Sequence, residues 1–395
     1  MIVKGKRALA YTQRVAWVKP IVGADNIEEI GVLGWHLIAK KGEFKEGDMC
    51  VYFEIDSKLP AAPWSEFMMS KHYKVKTMKL NKFGVISQGL ALPVTEFEIE
   101  IPDEEGVDLT DKLGVTYSVE EDNKRKASVD KYKKMAQRHA KLFRTNKLVK
   151  WLYERDWGKK LLFVFLGKKR DKKAAYWPEW VVKTDEERAQ NLPFLFPGDG
   201  TKWYVTEKID GSSTTFTMKR GRFGKYEFYV CSRNVCFDKP EKDDKLFYET
   251  NIYTEMAQKY NIEAVLKDIM ENNLDVNFVT IQGETFGKSV QNRDYGLTDH
   301  DFMAFNFIYN TNELGTVRKN PKEMTDYLTQ YNIPCVPILD EEFILLETVD
   351  EMIAYAASEV SKVDGGMREG VVLRTADGKQ SFKAVSNEFL MKYHS

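Results

Sequence analysis

Cysteine and histidine are scarce, with four and five among 395 residues. Cys50, Cys231, Cys236 and Cys335 are scattered, and no Cys/His pair repeats at zinc spacing, so neither a disulfide framework nor a zinc module is expected. The thiols read as reduced core filler in a cytoplasmic protein. No apolar run reaches the ~20 residues of a membrane helix, and the N-terminus does not read as a secretory signal. Net charge is almost absent as well, at −1. Internal repeats and low-complexity tracts are missing.

What is present is an ordinary globular composition, 43% apolar, in a chain long enough for two or three domains. The balanced charge hides an asymmetry. Residues 124–173 carry 19 Lys/Arg against 4 Asp/Glu, an excess of 15, which leaves −16 for the remainder. A basic block within an acidic protein suggests a polyanionic partner, although a solvated helix face gives the same pattern.

The pattern divides the chain into 1–120, 121–175 and 176–395. In the first part, Leu9–Thr12, Trp35–Ala39 and Met49–Ile55 are strand candidates, separated by turns such as Lys45-Glu46-Gly47-Asp48. Several short strands with glycine-bearing turns favour a small β-barrel or sandwich. Lys71, Lys74, Lys76, Lys79 and Lys82 interleave with His72, Tyr73 and Phe83, a mix of cations and rings by which an OB-type barrel binds oligonucleotides. The second part reads as helical over about 122–155, and Leu161–Leu166 as a strand or packing anchor. In the third part, Thr184 reads as the N-cap of a helix, with Glu187 at the capping-box position. Strands follow at Trp203–Thr206, Phe228–Asn234, Phe278–Glu284, Asp301–Tyr309, Arg368–Arg374 and Gln380–Val385, with helices near 249–272, 320–331 and 348–361. The fold class is α+β: an OB-like barrel, a basic helical insert, and a domain of antiparallel sheets with flanking helices.

Lys208 ends a strand two residues before the turn dipeptide Asp210-Gly211. An amine in that setting becomes a nucleophile if the site lowers its pKa from ~10.4. An exposed strand-end lysine beside an ordinary turn has the same local sequence. The downstream order decides: Arg233, Glu284, Phe305, Glu369 and Lys383 all lie on strands. This set suits attack on a nucleoside triphosphate. Asp210, Glu284 and Glu369 offer oxygen ligands for Mg²⁺ or Mn²⁺. Arg233 and Lys383 offer charge for phosphates, and Phe305 a face for the base.

These residues resemble the covalent nucleotidyltransferase superfamily of polynucleotide ligases and capping enzymes. Lys208-Ile209-Asp210-Gly211 looks like its nucleotide-accepting motif, and Ser232-Arg233-Asn234, Gly283–Gly287, Phe302–Asn306, Glu369–Arg374 and Ser381–Ala384 look like the five that follow. Ser381 stands where the last motif commonly carries the first of two lysines, so only Lys383 is matched. Pro20–Asp25, Lys41–Asp48, Val51–Asp56, Ser87–Leu90 and Lys183–Arg188 resemble the group of ATP-dependent RNA ligases with an N-terminal OB-like domain, the fifth RNA ligase family. The resemblance implies Lys208, Asp210, Glu284, Glu369 and Lys383 as catalytic residues. It also implies nucleotide contacts from Glu207, Lys208, Arg233, Glu284, Phe305, Glu369, Lys383, Lys183 and Arg188. The expected activity is sealing of RNA 5′-phosphate and 3′-OH ends, or nicked RNA-containing duplexes, by a monomer with ATP and a divalent metal, as in RNA repair. The chain stops 12 residues after Lys383, where DNA ligases and capping guanylyltransferases usually continue into a further OB domain. A DNA nick ligase, a guanylyltransferase and a non-catalytic nucleic-acid-binding protein on the same scaffold remain the alternatives.

Overall fold

A computed structural model describes residues 2–3, 6–117, 142, 147–166, 177–221, 224–237 and 251–393. Most of the basic helix expected over 122–155 lies outside them.

In the N-terminal region, Ala10–Arg14, Met49–Phe53 and Leu90–Pro93 form one antiparallel sheet with Met49–Phe53 central. Trp17–Pro20, Ile27–Val32 and Trp35–Lys40 form a second, a meander joined by short turns. Met78–Leu80 and Val85–Ser87 add a hairpin, which carries Lys79. Alternating side chains fill the interior between the sheets: Tyr11, Ile30, Val32, Leu37 and Tyr52 are fully buried. These are the strands that the short runs and glycine-bearing turns indicate, assembled into an OB-like region.

Residues 147–166 form two short helices, Lys147–Tyr153 and Asp156–Leu166. Leu161–Leu166 is therefore the end of a helix, not a strand. Its apolar residues are continuous over too short a run for periodicity to separate the two.

The C-terminal domain has two sheets. In the first, the order is Glu187–Arg188, Ser381–Val385, Gly370–Thr375, Lys202–Lys208 and Ile338–Ile344. In the second, Cys236–Phe237, Tyr226–Ser232, Ser212–Arg220, Val276–Gly287, His300–Thr311 and Gly315–Arg318 are all antiparallel. Helices Ile252–Lys259 and Ile262–Asn272 bury Met256, Ile262, Leu266 and Met270 against the second sheet. The helix expected over 249–272 is thus two, broken where Asn261 takes a left-handed conformation. Val349–Ala357 packs Met352 and Ala356 on the first sheet.

No helix starts at Thr184. Glu187–Arg188 pairs in parallel with Phe382–Lys383, and two short 3-10 turns follow. The Thr184 hydroxyl instead hydrogen-bonds Ser213 Oγ. Capping residues without a helical apolar period behind them did not outweigh a sheet edge and the prolines at 193 and 197.

The OB-fold region rests on the C-terminal domain. Trp17 Nε1 donates to Asp350 Oδ1 at 3.2 Å, and Lys79 Nζ donates to the Met391 carbonyl at 3.1 Å. Gly34 (φ +72°) meets Val349 so closely that a Cβ would lie 2.6 Å from Cγ1. Only glycine suits both the conformation and the approach. Among the described residues, no helix is long and apolar enough to cross a membrane.

Candidate functional site

The bend Ile209–Gly211 leads from the last strand residue of one sheet, Lys208, into the first strand of the other, Ser212–Arg220. It therefore stands at the mouth between the sheets, where strands from both can aim side chains at one point. A cavity of about 340 Å³ opens there.

Register places the other residues. Lys208 pairs with Gly370, so Glu369 sits at the adjoining strand end, and Lys208 Nζ donates to its carboxylate at 2.8 Å. Glycine is required at 370: a Cβ would lie 2.2 Å from the Ala384 carbonyl oxygen. Lys383 is opposite Val372 on the neighbouring strand. Glu284 is paired with Ser213 on the other sheet. A β-bulge in His300–Thr311 shifts the ladder so that Gln282 faces Asn306 while Gly283 faces Ala304. Phe305 is the extra residue, and it lines the cavity. Arg233 occupies the hairpin turn after Ser232, and its guanidinium donates to Asp185 at 2.5 Å.

Glu207, Lys208, Asp210, Arg233, Glu284, Phe305, Glu369 and Lys383 all line this one cavity. Lys183 and Arg188 do not. Lys183 is exposed, with its ammonium 5.6 Å from the Trp177 ring centroid. Arg188 faces a second cavity, between the two domains.

The charges are crowded. Burial would depress the Lys208 pKa, but Glu369, Glu284 and Asp210 outweigh it and hold the amine above its ordinary value. This reverses the sequence expectation for the unliganded site, because the groups facing Lys208 are mainly acids. In this cavity the depressed lysine is Lys383, brought down to about 8 by burial and by the charges of Lys208 and Arg188. Glu284 is pushed up to about 8, first by burial and then by Glu369 and Asp210, against the pull of Lys208. Three carboxylates share one close ammonium. That surplus of hard oxygen ligands suits a divalent cation.

An RNA ligase family model matches residues 201–394, and an OB-fold domain model matches residues 9–94. The C-terminal domain belongs to the RNA ligase family. An RNA ligase of Naegleria gruberi, a mutant solved with ATP and Mn, is 28% identical and superimposes with a TM-score of 0.64, covering 98% of this chain and 100% of its own. The same protein with PPi gives 0.62 at 28% identity, over 98% and 99%. A further mutant with AMP and Mn gives 0.63 at 28% identity, over 98% and 99%. No curated protein matches the chain in sequence.

Several residues in and beside the cavity of this ligase make contacts that the sequence does not announce. Tyr295 Oη accepts the Asp210 backbone N–H at 2.7 Å, and Gln291 Nε2 donates to the Gly211 carbonyl at 2.9 Å. The loop between Gly287 and His300 thereby holds the bend across some 80 residues of chain. Glu186 accepts from Arg374 Nη2 at 2.9 Å and from the Ser381 hydroxyl. Ser381, where the family pattern expects a lysine, is thus tied to an acid and an arginine. The Glu207 carboxylate accepts from Ser361 Oγ and from the Lys362 backbone N–H.

Proposed function

We propose that this ligase joins an RNA 5′-phosphate end to a 3′-OH end through a nucleotide carried covalently on Lys208. The observation that carries the reading is the position of Lys208 Nζ, 2.8 Å from Glu369, in a cavity it shares with Asp210, Glu284, Arg233, Phe305 and Lys383. The Naegleria gruberi relatives are solved with ATP and Mn, with AMP and Mn, and with PPi, the nucleotide forms and by-product such a reaction involves.

Lys208, once deprotonated, attacks the α-phosphorus of ATP. A P–N bond forms, the P–O bond to the β-phosphate breaks, and pyrophosphate leaves. AMP passes from Lys208 to the RNA 5′-phosphate oxygen, which converts that end into one with a good leaving group. The 3′-OH then attacks the 5′-phosphorus, and AMP departs as the phosphodiester closes. Lys383 and Arg233 are placed to balance charge on the phosphates, and Phe305 offers its ring to the base. Asp210, Glu284 and Glu369 would hold the divalent cation, which supplies positive charge at the reacting phosphate when bound. The acids that keep Lys208 protonated in the free site are the same three, so nucleotide and cation loading are linked to loss of the Lys208 proton. The four cysteines are free thiols, which suits a reducing cytoplasmic setting, and we read the working unit as a monomer.

Incubation with α-labelled ATP and Mg²⁺, followed by denaturing electrophoresis, should leave label on the wild-type chain and none on Lys208→Ala. Label retained by Lys208→Ala would place the nucleophile elsewhere.

A further inference from the structure

A second cavity, of about 790 Å³, lies where the OB-fold region meets the C-terminal domain. Trp35, Lys79 and Gln88 line it from one side, and Arg188, Asn292 and Lys392 from the other. Three of its lining residues are cations, and none is an acid.

Two residues of its lining each carry a hydrogen-bond donor with no acceptor among the described residues. Trp35 Nε1 and Arg188 Nη1 are both buried from solvent and unbonded. The two side chains adjoin, the guanidinium carbon lying 5.5 Å from the Trp35 ring centroid. A buried N–H without an acceptor costs the full desolvation of that group, and such groups are rare unless something else supplies the acceptor. Lys79 Nζ spends one proton on the Met391 carbonyl, which leaves two more, and Lys392 is exposed. The shortage is therefore one of acceptors, at a place where positive charge is concentrated. An anion with several oxygens answers both needs, and a phosphodiester is such an anion.

The position of the cavity indicates where that phosphate comes from. Arg188 pairs in register with Lys383, and Lys383 lines the nucleotide cavity. One residue pair thus separates the two spaces. A strand whose phosphate rests on Arg188 has its next groups arriving beside Lys383.

We infer that the cavity between the OB-fold region and the C-terminal domain seats a backbone phosphate of the RNA strand entering the nucleotide site, held by Trp35 Nε1, Arg188, Lys79 and Lys392. This rests on the ligase reading for the nature of the strand. The cavity accounts for how one short OB-fold region can set the register of an RNA end: it supplies half of a phosphate seat whose other half belongs to the catalytic sheet.

The test uses the full chain with Trp35→Phe, which removes one N–H while keeping a ring, and Lys392→Met, which removes one exposed charge. Three quantities are measured: label taken from α-labelled ATP, sealing of a nicked duplex whose 5′ end is already adenylylated, and direct RNA binding by fluorescence anisotropy. Both variants should label like wild type. Each should raise the KM for RNA by about tenfold with kcat little changed, as expected for loss of one bond to a charged group. In Lys392→Met the slope of log affinity against log salt should become shallower by about one. Unchanged KM and unchanged salt slope in both variants would overturn the inference. So would an unchanged RNA KM together with a higher pyrophosphate concentration needed to strip label, since the anion would then be the by-product. If Trp35→Phe melts early, Lys392→Met carries the test alone. Failure of the wild type to take label would remove the ligase reading instead, while the anisotropy arm still decides whether RNA occupies the cavity.

Discussion

The two cavities adjoin but are lined by opposite chemistry. The one at the Lys208 bend mixes six acids, among them Asp210, Glu284 and Glu369, with Lys208, Arg233, Arg374 and Lys383. The one between the domains holds Lys79, Arg188 and Lys392 with no acid at all. Mixed charge suits a place where cation, nucleotide and nucleophile must all be held, and where the protonation of each depends on the others. Uniform positive charge suits a place that has only to receive a polyanion. Perturbed proton affinity and density of positive charge are therefore different marks. Glu284 and Lys383, both near 8, report the first; the buried donors of Trp35 and Arg188 report the second.

Substitutions at the two cavities and at the domain interface test this difference. The largest effect is expected from Glu369→Gln, which removes the charge facing Lys208 at 2.8 Å. Transfer of label to protein should fall by about 100-fold, the scale of losing one preorganised electrostatic partner. A loss below threefold would show that Glu369 is a structural neighbour only.

The next concerns pH. The Glu284 carboxyl is neutral below about 8 and anionic above it, so Mn²⁺ affinity should rise as pH increases through that value, and Glu284→Gln should flatten the rise. The same shift has a consequence for stability. The folded carboxyl keeps its proton between 4.5 and about 8 while the unfolded one has lost it, so the folded state binds more protons there. Stability contributed by this group therefore falls with rising pH across that window, and Glu284→Gln should raise Tm more at pH 8 than at pH 5. Equal shifts at both pH values would refute the assignment.

Smaller again is Tyr295→Phe. It removes the hydroxyl that accepts the Asp210 N–H at 2.7 Å, and labelling should slow by about fivefold with RNA affinity unchanged. The smallest is Trp17→Phe, which loses the 3.2 Å bond to Asp350 between the domains. Tm should drop by a few degrees with labelling intact. A large loss of label there would mean that the interface governs the nucleotide cavity after all.

Much of the fold was readable because its signals are local. Short runs of β-branched and aromatic residues, as in Met49–Phe53 and at the start of Val276–Gly287, depend on neighbours a few positions away. The failures share a cause. At Thr184 a capping pattern was present, but a strand almost 200 residues later offered Glu187–Arg188 a partner. At Leu161–Leu166 the apolar run was too short to reveal its period. The lysine whose pKa is depressed could not be named either, since that depends on how many acids face each amine, not on its own neighbours in sequence.

The residues alone gave an OB-like region ahead of a domain of antiparallel sheets, and the reactive side chain types Lys208, Asp210, Glu284, Glu369 and Lys383 in their order along the chain. Tertiary structure alone decided which of them converge, the bulge that aims Phe305, the hold of Tyr295 on the bend, and the joining of Trp35 to Arg188 across the domains. The reason is range. Strand pattern and turn chemistry act over a few residues, whereas proton affinity, buried donors and cavities arise from segments brought within ångströms after being separated by 50 to 200 positions.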